Sequence, residues 1–449
     1  MTAYELLTTP TQQPDPGTDV ILDWQPETAA SNIECKRDFF AGWRPTRSAA
    51  DLFIVGAAAY SVDKLAARAD TRDAWTRELH LRFPAEDSAS FNESSLAGAL
   101  RFLTGDHWTL SAHDETADPL ARLAPLPAAP NPITTVDAIC LFSGGLDSLC
   151  GVIDLLEQDA SLKLALVSHY DGGQATSKQS QIHARLTAHY GADRVLLRRL
   201  WLRPAPPNPH QRQRTPEPAE TTTRGRSFLF LTAALALASA SGPTIPVYLP
   251  ENGYIALNVP LSRARTGSAS TRTTHPHYLQ LLVDAASTIG VTNPLINPYR
   301  YKTKGQMLQE SRNSRLLKKL TPDTVSCSHP EAARMQQRPQ GNCGYCFPCL
   351  IRRAALATVG WDTEEFSWNV LTDTALIADT DKQRGADLRA VLNGAFADRA
   401  DTDLLRNAPL PAGTHTEHLR VWREGNEELR TWLKHGATGM LAQVVGRLT

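Results

Sequence analysis

From Ile133 onward the chain alternates short apolar runs with amphipathic ones, and no other feature limits its fold as strongly. Strands are expected at Asp137–Phe142, Lys163–His169, Arg194–Leu200 and Thr244–Leu249, and helices at Leu149–Gln158, Ser177–His189, Ser227–Ser239 and Pro276–Ile289. Apolar strands separated by amphipathic helices predict an α/β fold, a parallel sheet covered by helices on both faces. Ligands of such sheets bind at the carboxyl ends of the strands. After the first strand that position is occupied by Ser143-Gly144-Gly145-Leu146-Asp147-Ser148. Two adjacent glycines let backbone N–H groups converge on one anion. The helix that follows adds the positive end of its dipole, so the loop suits a phosphate or pyrophosphate. Asp147 does not bind an anion directly and points to a magnesium ion bridging to the phosphates. The pattern G-x-x-x-x-G-K-[ST] is absent, which excludes the usual phosphate-loop NTPase motif. The bland alternative is an ordinary strand–turn–helix junction, since Ser, Gly and Asp are common turn residues.

A chain of 449 residues is too long for one ordinary domain; two or three are expected, and the sequence divides into three regions. Residues 1–130 read as a small α+β domain, with a mobile opening at Thr8–Gly17, strands at Asp51–Gly56, Glu78–Phe83 and His107–Ala112, and helices at Val62–Leu79 and Leu96–Leu103. The proline-rich stretch Leu123–Pro132 is a stiff linker. The α/β unit then occupies 131–360, and 361–449 is a helical region, with helices at Thr374–Phe396 and His415–His435. Within the α/β unit, Arg203–Thr223 breaks the alternation with prolines and arginines; it is either a disordered insertion or a lid or partner-docking loop. A net charge of −1 gives no overall basic field and no strong nucleic-acid signal. Met1–Gly17 lacks the pattern of a secretion signal, and the longest apolar stretch, Phe228–Ala240, is too short to span a bilayer. Seven unevenly placed cysteines do not form a disulfide framework, so a cytoplasmic location is expected, with no membrane partner.

Four of those cysteines, Cys327, Cys343, Cys346 and Cys349, have the spacing C-x15-C-x2-C-x2-C in a turn-rich segment. Four thiolates from two chain segments meet the needs of a tetrahedral zinc site, structural by default because no coordination position is left open. An iron–sulfur cluster or a redox-active pair are the other readings. His329 reads as a neighbour rather than a ligand. Cys35, Cys140 and Cys150 are isolated and expected to be packed.

The Ser143–Ser148 loop resembles the pyrophosphate (PP) loop of N-type ATP pyrophosphatases, and its combination with C…C-G-x-C-x-x-C resembles the QueC-like family of 7-cyano-7-deazaguanine (preQ0) synthases. The resemblance covers about Val136 to Thr358; Arg226-Ser227-Phe228-Leu229 matches the family's arginine-led helix, and Cys343–Arg352 its zinc knuckle and following arginine. It implies an adenine nucleotide alpha hydrolase-like, Rossmann-like fold and ATP, Mg2+ and Zn2+ as cofactors. The synthase's Gly-Tyr-Pro-Asp-Cys-type segment is missing, and Leu249–Asn258 followed by Thr273–Pro276 stands in its place. With the additional regions at both ends, the chain looks more like the QueC-like proteins of bacterial antiphage systems, such as Qat and type IV CBASS. For that branch the resemblance implies a 7-deazaguanine carboxylate activated as an adenylate and attached to a protein partner encoded nearby. The alternatives are nitrile formation of the preQ0-synthase type, or another nucleoside- or tRNA-modifying ATPase of the class.

Site residues follow from these patterns. Ser143, Gly144, Gly145, Leu146, Asp147 and Ser148 would hold ATP, with His169, at the end of the second strand, lining the adenine pocket or simply packed. Glu251 is expected to accept the N1–H and amine edge of a guanine-like base, with Asn252 and Asn258 serving its carbonyl and ring nitrogens, unless the turn is only a polar loop. Thr303 reads as the N-cap of a helix opening at Lys304. Lys304 and Arg226, with Asp147 and Ser148, would act in catalysis by stabilising charge on the leaving pyrophosphate, although surface lysines are more often solvated.

Overall fold

A computed structural model describes the chain except for residues 27, 124–134, 171–173, 218–219, 221, 223, 262–271, 333–337, 339–340, 379–381 and 398–399. The strands are β1 (Thr2–Leu7), β2 (Val20–Asp23), β3 (Ile33–Cys35), β4 (Glu78–Ala85), β5 (His107–Asp114), β6 (Ala138–Leu141), β7 (Leu164–His169), β8 (Val195–Leu200), β9 (Leu202–Pro204), β10 (Val247–Tyr248) and β11 (Leu295–Ile296). Up to the central sheet's last strand the helices are α1 (Arg47–Leu65), α2 (Ser88–Glu93), α3 (Leu96–Thr104), α4 (Leu146–Gln158), α5 (Gln174–Tyr190), α6 (Arg226–Ser241), α7 (Gly253–Leu257) and α8 (Pro276–Thr288). They continue as α9 (Lys304–Gln309), α10 (Ser314–Leu320), α11 (Phe347–Thr358), α12 (Thr374–Ile377), α13 (Ala386–Ala395), α14 (Asp401–Asn407), α15 (His415–Gly436) and α16 (Gly439–Leu448).

The central sheet has the order β11-β10-β6-β7-β8, and every pairing in it is parallel. Both of its faces are buried, as the apolar strands require. Ile139 and Leu141 of β6 join the core shared with α6, while Ala138 and Cys140 face α4, α5 and α10. The expected Thr244–Leu249 strand is reduced to β10, although backbone bonds from Ile139 to Pro246 and from Leu249 to Ile296 extend its ladder.

The N-terminal region differs from the expected α+β domain. Its sheet, β2-β1-β4-β5, is also wholly parallel, with α1 and the α2–α3 pair between its strands. The run Asp51–Gly56, read as a strand, lies inside α1, and the helix expected at Val62–Leu79 ends at Leu65. α1 is buried on nearly every side, so its apolar residues show no 3.6-residue period, and a short apolar run then reads equally well as a strand. α1 packs on α6, itself buried all round, and one hydrophobic core runs from Leu6, Trp24 and Phe53 through Phe228 to Ile139 and Val167.

The opening segment is pinned rather than mobile. Gln12 accepts from the amides of Thr8 and Thr9 at 2.6 and 3.0 Å and donates to Glu115 at 2.7 Å. The described residues of Arg203–Thr223 dock on the chain itself. Arg203 and its neighbours pair β9 antiparallel with β3, Gln213 accepts from Ile21 N of β2 and donates to the Asp19 carbonyl just before it, and Glu220 accepts from Arg68 N. Of the proline-rich stretch, only Leu123 lies within the described residues. The expected Thr374–Phe396 helix is two pieces, α12 and α13; the C-terminal helices and the cysteine segment form a separate core. Among the described residues no helix is long and apolar enough to cross a membrane.

Candidate functional site

β6 ends at the serine-glycine loop, and α4 starts on Leu146 with Gly145 as its N-cap. Gly144 has φ +80°, a left-handed conformation that favours glycine. Gly151, one turn into α4, faces the Pro250 ring so closely that a Cβ would lie 2.3 Å from it. That contact brings the Pro250–Asn252 turn, at the carboxyl end of β10, onto the first turn of α4. The amides opening α4 have no intrahelical partners and lie at the carboxyl edge of the sheet. Ser143 Oγ accepts from Gly145 N at 3.2 Å and lies 3.4 Å from Ser148 Oγ, which donates to the Gly145 carbonyl at 2.9 Å.

Asp147 is where three chain segments meet. Its Oδ1 is ion-paired with Lys304 Nζ, and its Oδ2 accepts from Asn252 N at 3.2 Å and Asn252 Nδ2 at 2.7 Å. The Glu251 carboxyl is hydrogen-bonded to Asp147 as well. Asp147, Lys304 and Asn252 are all buried. Burial opposes charge on Asp147, but the Lys304 ammonium and the hydrogen bonds from Glu251, Lys304 and Asn252 outweigh it and hold the carboxyl below its ordinary range. Glu251 moves the other way: burial first, then the Asp147 charge, push its pKa well above the usual carboxylate value. The two neighbouring carboxyls are thus pushed in opposite directions, Asp147 toward the charged form and Glu251 toward the neutral one. Lys304 reaches this point because α9 starts there, with Thr303 capping it and Gln306 closing the capping box, as the spacing predicts.

The remaining expected site residues are placed differently. Asn252 caps α7, accepting from Ile255 N at 3.0 Å while its Nδ2 serves Asp147, so both ends of its amide are engaged. Asn258 closes the same helix at φ +46°. His169 is buried, with Nε2 3.3 Å from the Leu202 carbonyl oxygen and its ring edge-on to Tyr60 and Phe230, the packed arrangement for a strand-end histidine. Arg226 is the first residue of α6. None of these last three is among the groups that touch Asp147.

The four cysteines converge. Their Sγ atoms lie within 4.8 Å of one another, with Cys327–Cys346 at 3.8 Å and Cys343–Cys349 at 3.9 Å. Zn–S bonds of about 2.3 Å in a tetrahedron require sulfur–sulfur edges of about 3.8 Å, so the set fits zinc. The amides of Ser328, His329, Cys343 and Cys346 donate to these sulfurs at 3.3–3.5 Å, which stabilises thiolates. The His329 ring stacks on Tyr345, outside the sulfur set.

Two residues that the sequence reading gave no role join the loop to this centre. Ser326, immediately before Cys327, accepts from Leu146 N at 3.1 Å. Arg352, on α11 and fully buried, donates to Thr324 Oγ1 at 2.7 Å, the Thr321 carbonyl at 2.8 Å and Ser326 Oγ at 3.5 Å, and pairs with Glu364. Asn297 fixes the Glu251 backbone in turn, donating to its carbonyl at 2.9 Å. Beyond Asn297 an open cavity of about 650 Å³ is lined by Arg300, Tyr301, Lys302 and Arg420. For these contacts the sequence carried two signals, the adjacency of Ser326 to Cys327 and the place of Arg352 just after the cysteine knuckle.

Fold and site together define an α/β protein with parallel sheets, a serine-glycine loop at a carboxyl edge, and a four-cysteine centre able to hold a metal. No protein-family model, curated protein or solved structure matches the chain.

Proposed function

We propose that this protein is an ATP-dependent ligase or synthase of the PP-loop class that activates a 7-deazaguanine carboxylate as an acyl-adenylate, for attachment to a protein partner in bacterial antiphage defence in the cytoplasm. The observation that carries the reading is the meeting at Asp147 of Lys304 and the Glu251–Asn252 turn, three segments whose residues are nominated separately, by the loop, a helix start and a strand-end turn. The four-cysteine centre, tied to the loop through Ser326, adds the second half of the QueC-like pattern.

On this reading the loop amides and the Ser143 and Ser148 hydroxyls bind the phosphates of ATP. Asp147 would supply a hard oxygen ligand for magnesium, which would neutralise phosphate charge. The substrate carboxylate attacks the α-phosphorus in line, the bond to the pyrophosphate oxygen breaks, and Lys304 and Arg226 stabilise the charge that leaves. An amine then adds to the acyl carbon, loses its proton, and displaces AMP. Positioning and charge stabilisation supply most of the catalysis. The cysteine centre, closed and set behind the loop, holds zinc as a structural ion.

Incubation with ATP and 7-carboxy-7-deazaguanine tests this directly. AMP and pyrophosphate are expected, and the protein encoded beside this one should gain the mass of a deazaguanine acyl group. Release of the free nitrile with ammonia as the amine would move the assignment to preQ0-type synthesis. Absence of AMP with every combination of substrate and neighbouring protein would remove the proposal.

A further inference from the structure

The middle of α15 packs against the two short helices that meet at the Asp147 cluster. α9 is only six residues long, too short to hold its own shape in water, yet its first residue must present Lys304 to Asp147. α15 supplies what α9 lacks. Glu428 accepts a hydrogen bond from Thr303 Oγ1 and a second, at 3.3 Å, from the Gly305 amide, while Glu424 accepts from Gln306 Nε2 at 2.8 Å. A Cβ on Gly305 would lie 2.4 Å from Glu428 Oε1, so the carboxylate seats on α9 because position 305 has no side chain. Negative charge at the start of a helix also opposes its dipole favourably. The same face of α15 holds α7. Gly425 lies against the Tyr254 ring, where a Cβ would meet Cδ2 at 2.2 Å, and Tyr254 donates its hydroxyl proton to Asn426 Oδ1 at 2.8 Å. α7 begins at Asn252, the other partner of Asp147.

One helix of the C-terminal region thus grips both short helices whose N-terminal ends meet at Asp147. We infer that α15 is part of the reaction centre's framework, and that Glu428 is a positioning residue that fixes Lys304 on Asp147 through Thr303 and Gly305. Its consequence for turnover rests on the adenylation reading; its consequence for the placement of Lys304 does not.

Both are read on the full chain with Glu428→Ala and Glu428→Gln, checking the fold by circular dichroism. Access to Lys304 is measured by brief treatment with an amine-acylating reagent and peptide mass spectrometry. In Glu428→Ala, labelling of Lys304 should rise about tenfold, and kcat for AMP formation should fall by about 10- to 100-fold with KM for ATP little changed, as expected when a transition-state contact is misplaced by about 1 Å. Glu428→Gln, which keeps an acceptor for the Thr303 hydroxyl, should restore most of the protection and of kcat. If the alanine variant does not fold, Gly305→Ala displaces the Glu428 carboxylate from the α9 side while leaving the Thr303 cap in place, and should give the same rise in labelling. Unchanged Lys304 labelling in a folded Glu428→Ala or Gly305→Ala protein overturns the inference. So does a glutamine variant as impaired as the alanine one. Should the wild type form no AMP, the adenylation reading fails while the labelling result still decides the role of Glu428.

Discussion

On one side of Ser326 four thiols converge, and the groups that face them are backbone amides. On the other side the loop leads to Asp147, where two carboxyls, an ammonium and an amide satisfy one another. Both centres are buried and polar, yet their electrostatics differ. The sulfur centre is four like groups that, as thiolates, become favourable together only around a cation, so a bound metal would supply its stability. The Asp147 centre is already balanced by the chain's own residues, and anything that binds there must exchange with Lys304 or Glu251. The first set of groups calls for a cation between them, whereas the second already has one in Lys304.

Breaking the metal centre should have the largest effect. Apparent binding free energies of structural zinc are about 10–16 kcal/mol at neutral pH. Cys343→Ser, or prolonged chelation, should therefore melt the knuckle and its surrounding core, lowering the thermal midpoint and the yield of folded protein, with about one zinc per chain lost by elemental analysis. If Cys343→Ser left the fold intact and stopped turnover alone, the centre would be functional instead of structural.

Next in size, Lys304→Met leaves Asp147 buried without its cation. Removing one partner of a buried pair costs about 3–5 kcal/mol, measurable by urea unfolding. Adding Asp147→Asn should return much of that loss, because the remaining charge goes too. Ser326→Ala removes the acceptor for the loop amide of Leu146 and should cost about 1–3 kcal/mol. A calorimetric titration with ATP should also show weaker binding, which would tie the two centres together. The smallest effect is one of pH. The folded pKa of Glu251 lies above its ordinary value of 4.5, so this group's contribution to stability is full below pH 4.5 and is lost as pH rises through the raised value. Asp147, held below 3.8, works in the opposite sense and only in acid. Glu251→Gln should therefore flatten the stability profile above pH 4.5 and gain on wild type at pH 8 relative to pH 5.

Much of this was legible because it is local. The strand–loop–helix at Ser143, the cysteine spacing and the Thr303 cap each depend on residues a few positions apart, and each folds as its spacing predicts. The failures are of two kinds. α1 was misread at Asp51–Gly56 because a helix buried on all sides has no polar face to give it a period. The contacts of Ser326, Arg352, Asn297 and Glu428 join segments that are distant in sequence, and side-chain pairing at that range leaves no local pattern. His169 shows the limit from the other side: a strand-end position was legible, but whether the ring packs or binds depends on Tyr60 and Phe230, which come from elsewhere.

The central claim is that the Ser143–Ser148 loop cleaves ATP between its α- and β-phosphates to form an acyl-adenylate. ATP–pyrophosphate exchange measures that step alone, because label passes from pyrophosphate into ATP only if the adenylate forms reversibly. The account predicts exchange that depends on 7-carboxy-7-deazaguanine, is unaffected by omitting the amine acceptor, and is lost in Asp147→Asn. Formation of ADP and phosphate without exchange, or exchange that survives Asp147→Asn, would contradict it.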